Sequence, residues 1–287
     1  LNSAFRPVVQ IAFEYITFTN SSGQPQFGRP LEFDIQQAGE YWLDMALHLI
    51  IDAPTTAATG KIAGAVADPL FRWVDYPGER VMNKTQFMLN SSEIDAYEAN
   101  AYVFYRQFFT RKDKLAGWKR CMGHEVPLQG FINQTSSANA IIGPSVPENY
   151  RMQVNVHNGP QTYKTDTSYN NTSLEMIIPL LFWFCTDPRS AFPSICVPQG
   201  GRKIRAQLET FSRMAFVKDY GGTSGATMST PTISTAELYV NFLYVPDFLH
   251  IIIVRRVQFN LVRLHRTYTQ QVNKSSDIIS LQNQFKW

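Results

Sequence analysis

The stretch IIPLLFWFCTDPRSAFPSICVPQGGRKIRAQL, residues 177–208, decides how this sequence folds. Residues 177–185 are apolar and uncharged, too short to span a membrane and rich in strand formers, which predicts a strand buried on both faces. Thr186-Asp187-Pro188-Arg189 then breaks it, because Asp supplies turn hydrogen bonds and Pro188 cannot donate to a ladder. Residues 192–197 predict a second apolar strand, bounded by Pro193 and Pro198. A third is expected at 203–209, where Ile204, Ala206 and Leu208 alternate with Lys203, Arg205, Gln207 and Glu209 as in a sheet with one wet face. The centre of the chain is therefore expected to be antiparallel β-sheet.

Outward from that centre, period-two alternation recurs. Residues 6–18 put Ile11, Phe13 and Tyr15 on one face and Gln10, Ala12 and Glu14 on the other. Residues 31–35 form a short strand whose Glu32 and Asp34 share a face about 7 Å apart. A sugar-cleaving pair uses such a spacing, but no third acid or catalytic neighbour follows, and a solvated edge is the better reading. Residues 41–51 set Tyr41, Leu43, Met45, Leu47, Leu49 and Ile51 against Trp42, Asp44, Ala46 and His48. Strands are also expected at 71–75 and 81–89, around the turn Tyr76-Pro77-Gly78-Glu79-Arg80, and at 238–245 and 254–264. One helix is expected from Asp95, with Asp95 and Glu98 in capping-box spacing and Tyr97, Ala101, Phe104, Tyr105 and Phe108 as its core stripe. Residues 53–67, 127–173 and 220–235 read as loops, and the two longer polar ones are expected to project from the sandwich or clasp neighbours. About nine or ten strands and one helix fit an all-β, antiparallel jelly-roll sandwich with one major helix and long insertions.

The chain has 287 residues, enough for one large all-β domain. Hydrophobic residues at 44% and aromatics at 13% supply a core, while charge at 17% lies below the usual quarter and suits large contact surfaces. Such surfaces predict association. A net charge of +3 gives no mandate for nucleic-acid binding. Arg111, Lys112, Lys114, Lys119 and Arg120 against Asp113 read as a solvated flank or a protein contact, because Trp118 is the only interleaved aromatic. Cys121, Cys185 and Cys196 show no Cys-x-x-Cys spacing, which argues against a disulfide framework and structural zinc. A tight hairpin near 190–191 would set Cys185 opposite Cys196. The sequons at Asn20, Asn83, Asn90, Asn133, Asn170, Asn171 and Asn273 are what an Asn-, Ser- and Thr-rich chain produces by chance. The histidines are scattered, Gly200-Gly201 and Gly221-Gly222 lack a phosphate-loop context, and Gly-x-Ser-x-Gly is absent. No catalytic, cofactor-binding or metal-ligating residue is nominated, and no enzyme activity is expected.

The central stretch, with its Phe-Trp-Phe, Asp-Pro and Ala-Phe-Pro-Ser elements, resembles the segment shared by major capsid proteins of the nucleocytoplasmic large DNA viruses. Tyr76-Pro77-Gly78-Glu79-Arg80, Asn158-Gly159-Pro160-Gln161-Thr162, Glu237-Leu238-Tyr239-Val240-Asn241 and VRRVQFNLVRLH at 254–265 are similar to the African-swine-fever and faustovirus branch. The resemblance implies a double jelly-roll subunit that assembles as a homotrimer into pseudo-hexameric capsomers tiling an icosahedral shell. Residues 1–266 would be the N-terminal jelly roll, and 267–287, ending at Trp287, a linker toward a second one. It also implies neighbouring capsomers and minor capsid proteins as partners, no direct nucleic acid, indirect contact with an inner membrane or inner shell, and a place in the virion after assembly in the host cytoplasm. The alternative is a jelly-roll glycan-binding or glycan-cleaving domain, which needs paired carboxylates or stacked aromatics on a concave sheet.

Overall fold

The computed structural model describes residues 10–52, 56–59, 70–124, 131–133, 140–142, 173–197, 201–218, 224–255, 262–267 and 271. In chain order they form β1 (Ala12–Thr19), β2 (Pro30–Asp34), β3 (Tyr41–Ile51), β4 (Thr56–Thr59), β5 (Leu70–Trp73), α1 (Pro77–Arg80), β6 (Met82–Leu89) and β7 (Ser92–Glu98). Next come α2 (Asn100–Phe108), α3 (Leu115–Cys121), β8 (Phe131–Asn133), β9 (Ala140–Ile142), β10 (Leu174–Pro179), α4 (Trp183–Thr186) and β11 (Arg202–Leu208). The last are α5 (Phe211–Met214), β12 (Ala215–Lys218), β13 (Ser224–Met228), β14 (Ile233–Tyr244) and α6 (Asp247–Arg255).

Eight strands build two antiparallel four-stranded sheets, β1-β14-β3-β10 and β2-β11-β6-β7. Along the sandwich the chain changes sheet at every connection except β6 to β7, so the first strand pairs with the last. That order is the jelly roll, Greek keys folded into a double-sheet sandwich. The remaining strands make ribbons, β4 with β13, β5 with β12 and β8 with β9. The insertions that follow β3 and β11 are thus joined to each other by main-chain pairing. Residues 56–59 and 224–228, expected as loop, are strands, and 233–235 already belong to β14. Most of 127–173, including the motif at 158–162, lies outside the described residues.

The alternation supplies the core where it was expected. Leu31 and Phe33 of β2, Ile204, Ala206 and Leu208 of β11, and Leu238, Val240 and Phe242 of β14 are all buried. In β3 the phase changes partway. Met45, Leu47, Leu49 and Ile51 point inward as expected, but so does Trp42, because the β14 register slips between Val240 and Phe242. The extra residue lies in β3, between Trp42 and Met45, and shifts that strand's own inward set by one position while β14 keeps Val240 and Phe242 inward.

The organising stretch is central, but not as the expected pair of strands. β10 ends at Pro179 and alternates, with Met176 and Ile178 in the core and Ile177 43% exposed. Phe182, Trp183 and Phe184 then turn through α4 and are all buried. In a strand Trp183 would point away from Phe182 and Phe184, so only a turned backbone puts three consecutive rings into one core. They surround Phe87 of β6 at 5.9, 5.8 and 5.5 Å between ring centroids, with Trp42 and Phe192 completing the cluster at 6.0 and 5.3 Å. Residues 192–197 are likewise not a strand. Phe192 makes a single bridge to Trp42, and Ser194–Cys196 is one 3-10 turn after Pro193. Cys185 and Cys196 are free thiols rather than hairpin partners.

Two further expectations are corrected. The helix expected from Asp95 starts instead at Asn100, and Ser92–Glu98 is a strand joined to β6 by Asn90 and Ser91, both with positive φ. Two such residues are the signature of a tight hairpin turn. Residues 254–264, expected as a closing strand, contain the end of α6, and 262–264 have no regular structure. Pro246 and Asp247 favour a helix start there, and Arg255 sits in the last turn where a cation suits the helix dipole.

Candidate assembly surfaces

The turn Tyr76-Pro77-Gly78-Glu79-Arg80 positions the helical insertion between β7 and β10. Glu79 is almost wholly buried, and its Oε1 accepts from Arg106 Nε of α2 and from Trp118 Nε1 of α3, both at 2.7 Å. The Arg106 guanidinium lies 4.2 Å from the centre of the Tyr76 ring, whose other neighbour is the stacked ring of His124 at 4.1 Å. Gly78 is required here, since a Cβ would come within 2.9 Å of the Met122 backbone. One buried carboxylate therefore holds both helices against the sandwich, a charge-assisted arrangement stronger than neutral hydrogen bonds.

What this lobe presents outward differs from expectation. Tyr102 is buried and donates to the Pro179 carbonyl at 3.0 Å, but Phe104 and Phe108, expected in the core, are 58% and 74% exposed and stack on each other at 6.4 Å. Phe109 is also exposed, and beyond it Arg111, Lys112, Lys114 and Arg120 face solvent. Lys119, grouped with them by sequence, is buried.

The outer face of the first sheet is the second surface. Phe13 and Tyr15 of β1 are each 58% exposed, while Ile16 and Phe18 pack against the core. The Tyr15 hydroxyl donates to Asp44 of β3, which also accepts from Asn241 Nδ2 at 2.8 Å. Burial of the hydroxyl and then the Asp44 carboxylate push the Tyr15 phenol up to about 12. Further along, His48 lies between Glu175 of β10 at 2.9 Å and Glu237 of β14 at 3.7 Å, and stacks on Tyr239. The motif Glu237-Leu238-Tyr239-Val240-Asn241 is thereby divided. Leu238 and Val240 are core, whereas Glu237, Tyr239 and Asn241 build this outer network. None of β1, β14, β3 and β10 contains a lysine or arginine.

α6 is the third exposed apolar element. Ile253 is buried, but Phe248, Ile251, Ile252 and Val254 are exposed. Glu40 fixes its start, accepting from Val245 N at 3.0 Å and lying 3.2 Å from His250 Nδ1.

The chemistry considered from the sequence is not assembled. Glu32 and Asp34 do share a face, but Lys203 lies 3.2 Å from Asp34 and Arg205 lies 3.4 Å from Glu32, across the β2–β11 pair. Each carboxylate of the pair is thus engaged by a cation of β11. Asn20 closes its own turn, donating to Gly23 O at 2.6 Å and accepting from Glu32 N at 2.9 Å. Among the described residues no group of three His, Cys, Asp or Glu side chains could hold a metal ion, and no helix is long and apolar enough to cross a membrane.

Residues 2–246 match the family described as "Major capsid protein N-terminus". The major capsid protein of African swine fever virus (isolate Pig/Kenya/KEN-50/1950) is 25% identical over an alignment covering 100% of this chain and 62% of that protein. The major capsid protein of Phaeocystis pouchetii virus is 22% identical over 84% of this chain and 43% of its own length. Among solved structures, the Faustovirus major capsid protein superposes with a TM-score of 0.66 at 20% identity, covering 89% of this chain and 58% of that one. The PBCV-1 virus capsid gives 0.51 at 16%, covering 88% and 46%. The chain spans about three fifths of the length of the African swine fever virus relatives it matches, 62%. With its strand order and the family match over residues 2–246 in agreement, the chain belongs to the family of the major capsid protein N-terminus.

Proposed function

We propose that this chain is the N-terminal jelly roll of a capsid subunit, which trimerises into pseudo-hexameric capsomers of the icosahedral shell of a large DNA virus and has no catalytic role. The observation that carries this reading is the amount of apolar surface a solitary sandwich leaves wet. Phe13, Phe104, Phe108, Phe248 and Val254 are each more than half exposed, on three separate elements. Surfaces of that kind mark interfaces.

The remaining partners follow the same reading: neighbouring capsomers, minor capsid proteins and an inner membrane or inner shell, in a virion assembled in the host cytoplasm. Residues 1–266 form the domain and 267–287 a linker toward a second jelly roll. The contact of His265 with Asp95 supports a boundary there, because the chain is still tied to β7 at residue 265. A single jelly roll per copy gives a trimer a three-fold outline, so the six-fold outline needs that second roll. A glycan site has less support, because Glu32 and Asp34 are each paired with a cation of β11.

Native mass spectrometry and sedimentation equilibrium of the full-length subunit test this reading. A trimer is expected, and a stable monomer at micromolar concentration overturns it.

A further inference from the structure

β11 carries three cations that meet different fates. Lys203 and Arg205 reach Asp34 and Glu32 on the outer face of the second sheet, at 3.2 and 3.4 Å. Arg202 instead points inward with Ile204, Ala206 and Leu208, and is only 2% exposed. Its terminal nitrogens donate to Gln37 Oε1 and to the Val197 carbonyl, both neutral, and among the described residues no carboxylate pairs with it. Its Nε is buried and has no partner among the described residues. The Trp42 ring, centred 5.9 Å from the guanidinium carbon, is fully buried and leaves its own Nε1–H unpaired in the same way. The polar groups nearby are already committed. Gln37 Nε2 donates to Ser194 Oγ at 3.3 Å, and that hydroxyl lies 3.1 Å from the carbonyls of Gly39 and Glu40.

A guanidinium keeps its proton in a protein, and a buried charge costs free energy unless an opposite charge meets it. Burial pushes the Arg202 guanidinium below its ordinary range, as expected of a cation drawn out of water among neutral acceptors. We propose that Arg202 Nε and Trp42 Nε1 hold a small monovalent anion, a halide such as chloride, inside this end of the sandwich. A neutral acceptor would satisfy the two donors and leave the charge, and a divalent oxyanion would exceed it. The site lies where three connections meet. Gln37 belongs to the link from β2 to β3, Val197 to the segment after α4, and Gly201, beside Arg202, accepts from Asn90 N of the β6–β7 turn at 2.7 Å. A bound anion therefore stabilises all three together, whatever the oligomeric state.

Thermal unfolding at fixed pH and ionic strength, with chloride replacing methanesulfonate, tests the site. The midpoint is expected to rise by about 3–5 °C for each tenfold increase in chloride above its dissociation constant. Arg202→Met is expected to abolish that rise, and Trp42→Phe, which keeps a ring but removes the N–H, to move it to higher chloride. Should neither variant fold, crystals of the unsubstituted protein soaked in bromide decide, with an anomalous peak expected within hydrogen-bond distance of Arg202 Nε and Trp42 Nε1. A midpoint indifferent to chloride, a rise that Arg202→Met leaves intact, or a bromide map without a peak at Arg202 overturns the proposal.

Discussion

The buried carboxylate of Asp95 accepts the backbone N–H of His265 at 2.8 Å and lies 3.0 Å from its ring nitrogen, tying residue 265 to β7 at the edge of the second sheet. The sequence reading gave Asp95 the N-cap of a helix. The structure gives it instead the task of holding residue 265 against the sandwich. Asp95→Asn keeps the shape and removes the charge, and is expected to lower stability by about 1–2 kcal/mol. Urea unfolding checks this, and an unchanged midpoint would show that the contact holds nothing.

Glu79→Ala is expected to cost more. It leaves the Arg106 guanidinium and the Trp118 N–H facing a buried space without their acceptor, a loss of about 3–5 kcal/mol. Removal of the carboxylate should also free α2 and α3 before the sandwich unfolds. Trp118 fluorescence and backbone circular dichroism should therefore report separate transitions, and one coincident transition at the original midpoint would refute the assignment.

Trp183→Asp is expected to prevent folding. Trp183 is packed 4.9 Å from Phe184 and 5.8 Å from Phe87, so the change removes a large ring and inserts an unpaired charge into the aromatic cluster. Either change alone consumes much of the ~5–15 kcal/mol that stabilises a domain. A soluble protein with cooperative unfolding would mean that the cluster around Phe87 is not the centre of the core.

The three thiols should differ in reactivity. Cys121 and Cys196 are exposed, while burial pushes the Cys185 thiol well above its ordinary range. The reactive species is the thiolate, so a raised value keeps Cys185 protonated and inert at pH 8. Two rapid equivalents and one slow one are expected with a thiol reagent in native buffer, and three in denaturant. Three rapid equivalents in native buffer would place Cys185 at the surface.

The fold class was legible because half-buried strands carry a period of two, and β2, β11 and residues 236–240 of β14 show it without interruption. β7 was not, and the reason is Asp95. An acid at an inward position breaks the alternation of Ser92–Glu98, and the neighbouring Tyr97 and Ala101 then fall into helical spacing. The signal that would have found it is Asn90-Ser91, a turn pair that closes β6 onto β7. The helical turn at Trp183 was hidden for another reason. Consecutive large apolar residues suit a doubly buried strand and a turned plug equally well, and only the partner Phe87 distinguishes them.

The surfaces were less legible than the core. Phe104 and Phe108 have core-like spacing on α2, yet it is Tyr102 that faces inward, since Arg106 must reach Glu79 and Tyr102 must reach Pro179. The rotation of that helix is set by two polar contacts that no periodicity records. The absence of lysine and arginine from the first sheet was visible in the sequence, but it acquired meaning only once β1, β3, β10 and β14 were known to be neighbours.

The pairing of Ala12 with Tyr244 has a consequence for how the protein is made. At about 5–20 residues per second, β1 leaves the ribosome on the order of 10–50 s before β14 exists to receive it. Throughout that interval its apolar side chains and both its edges stay unsatisfied, so the first sheet closes only after β14 has emerged. Stalled chains that end before Ile233 should be cut within β1 by protease, and chains carried past Tyr244 should resist. A cell that makes this protein in quantity must therefore keep many growing copies apart until β14 arrives.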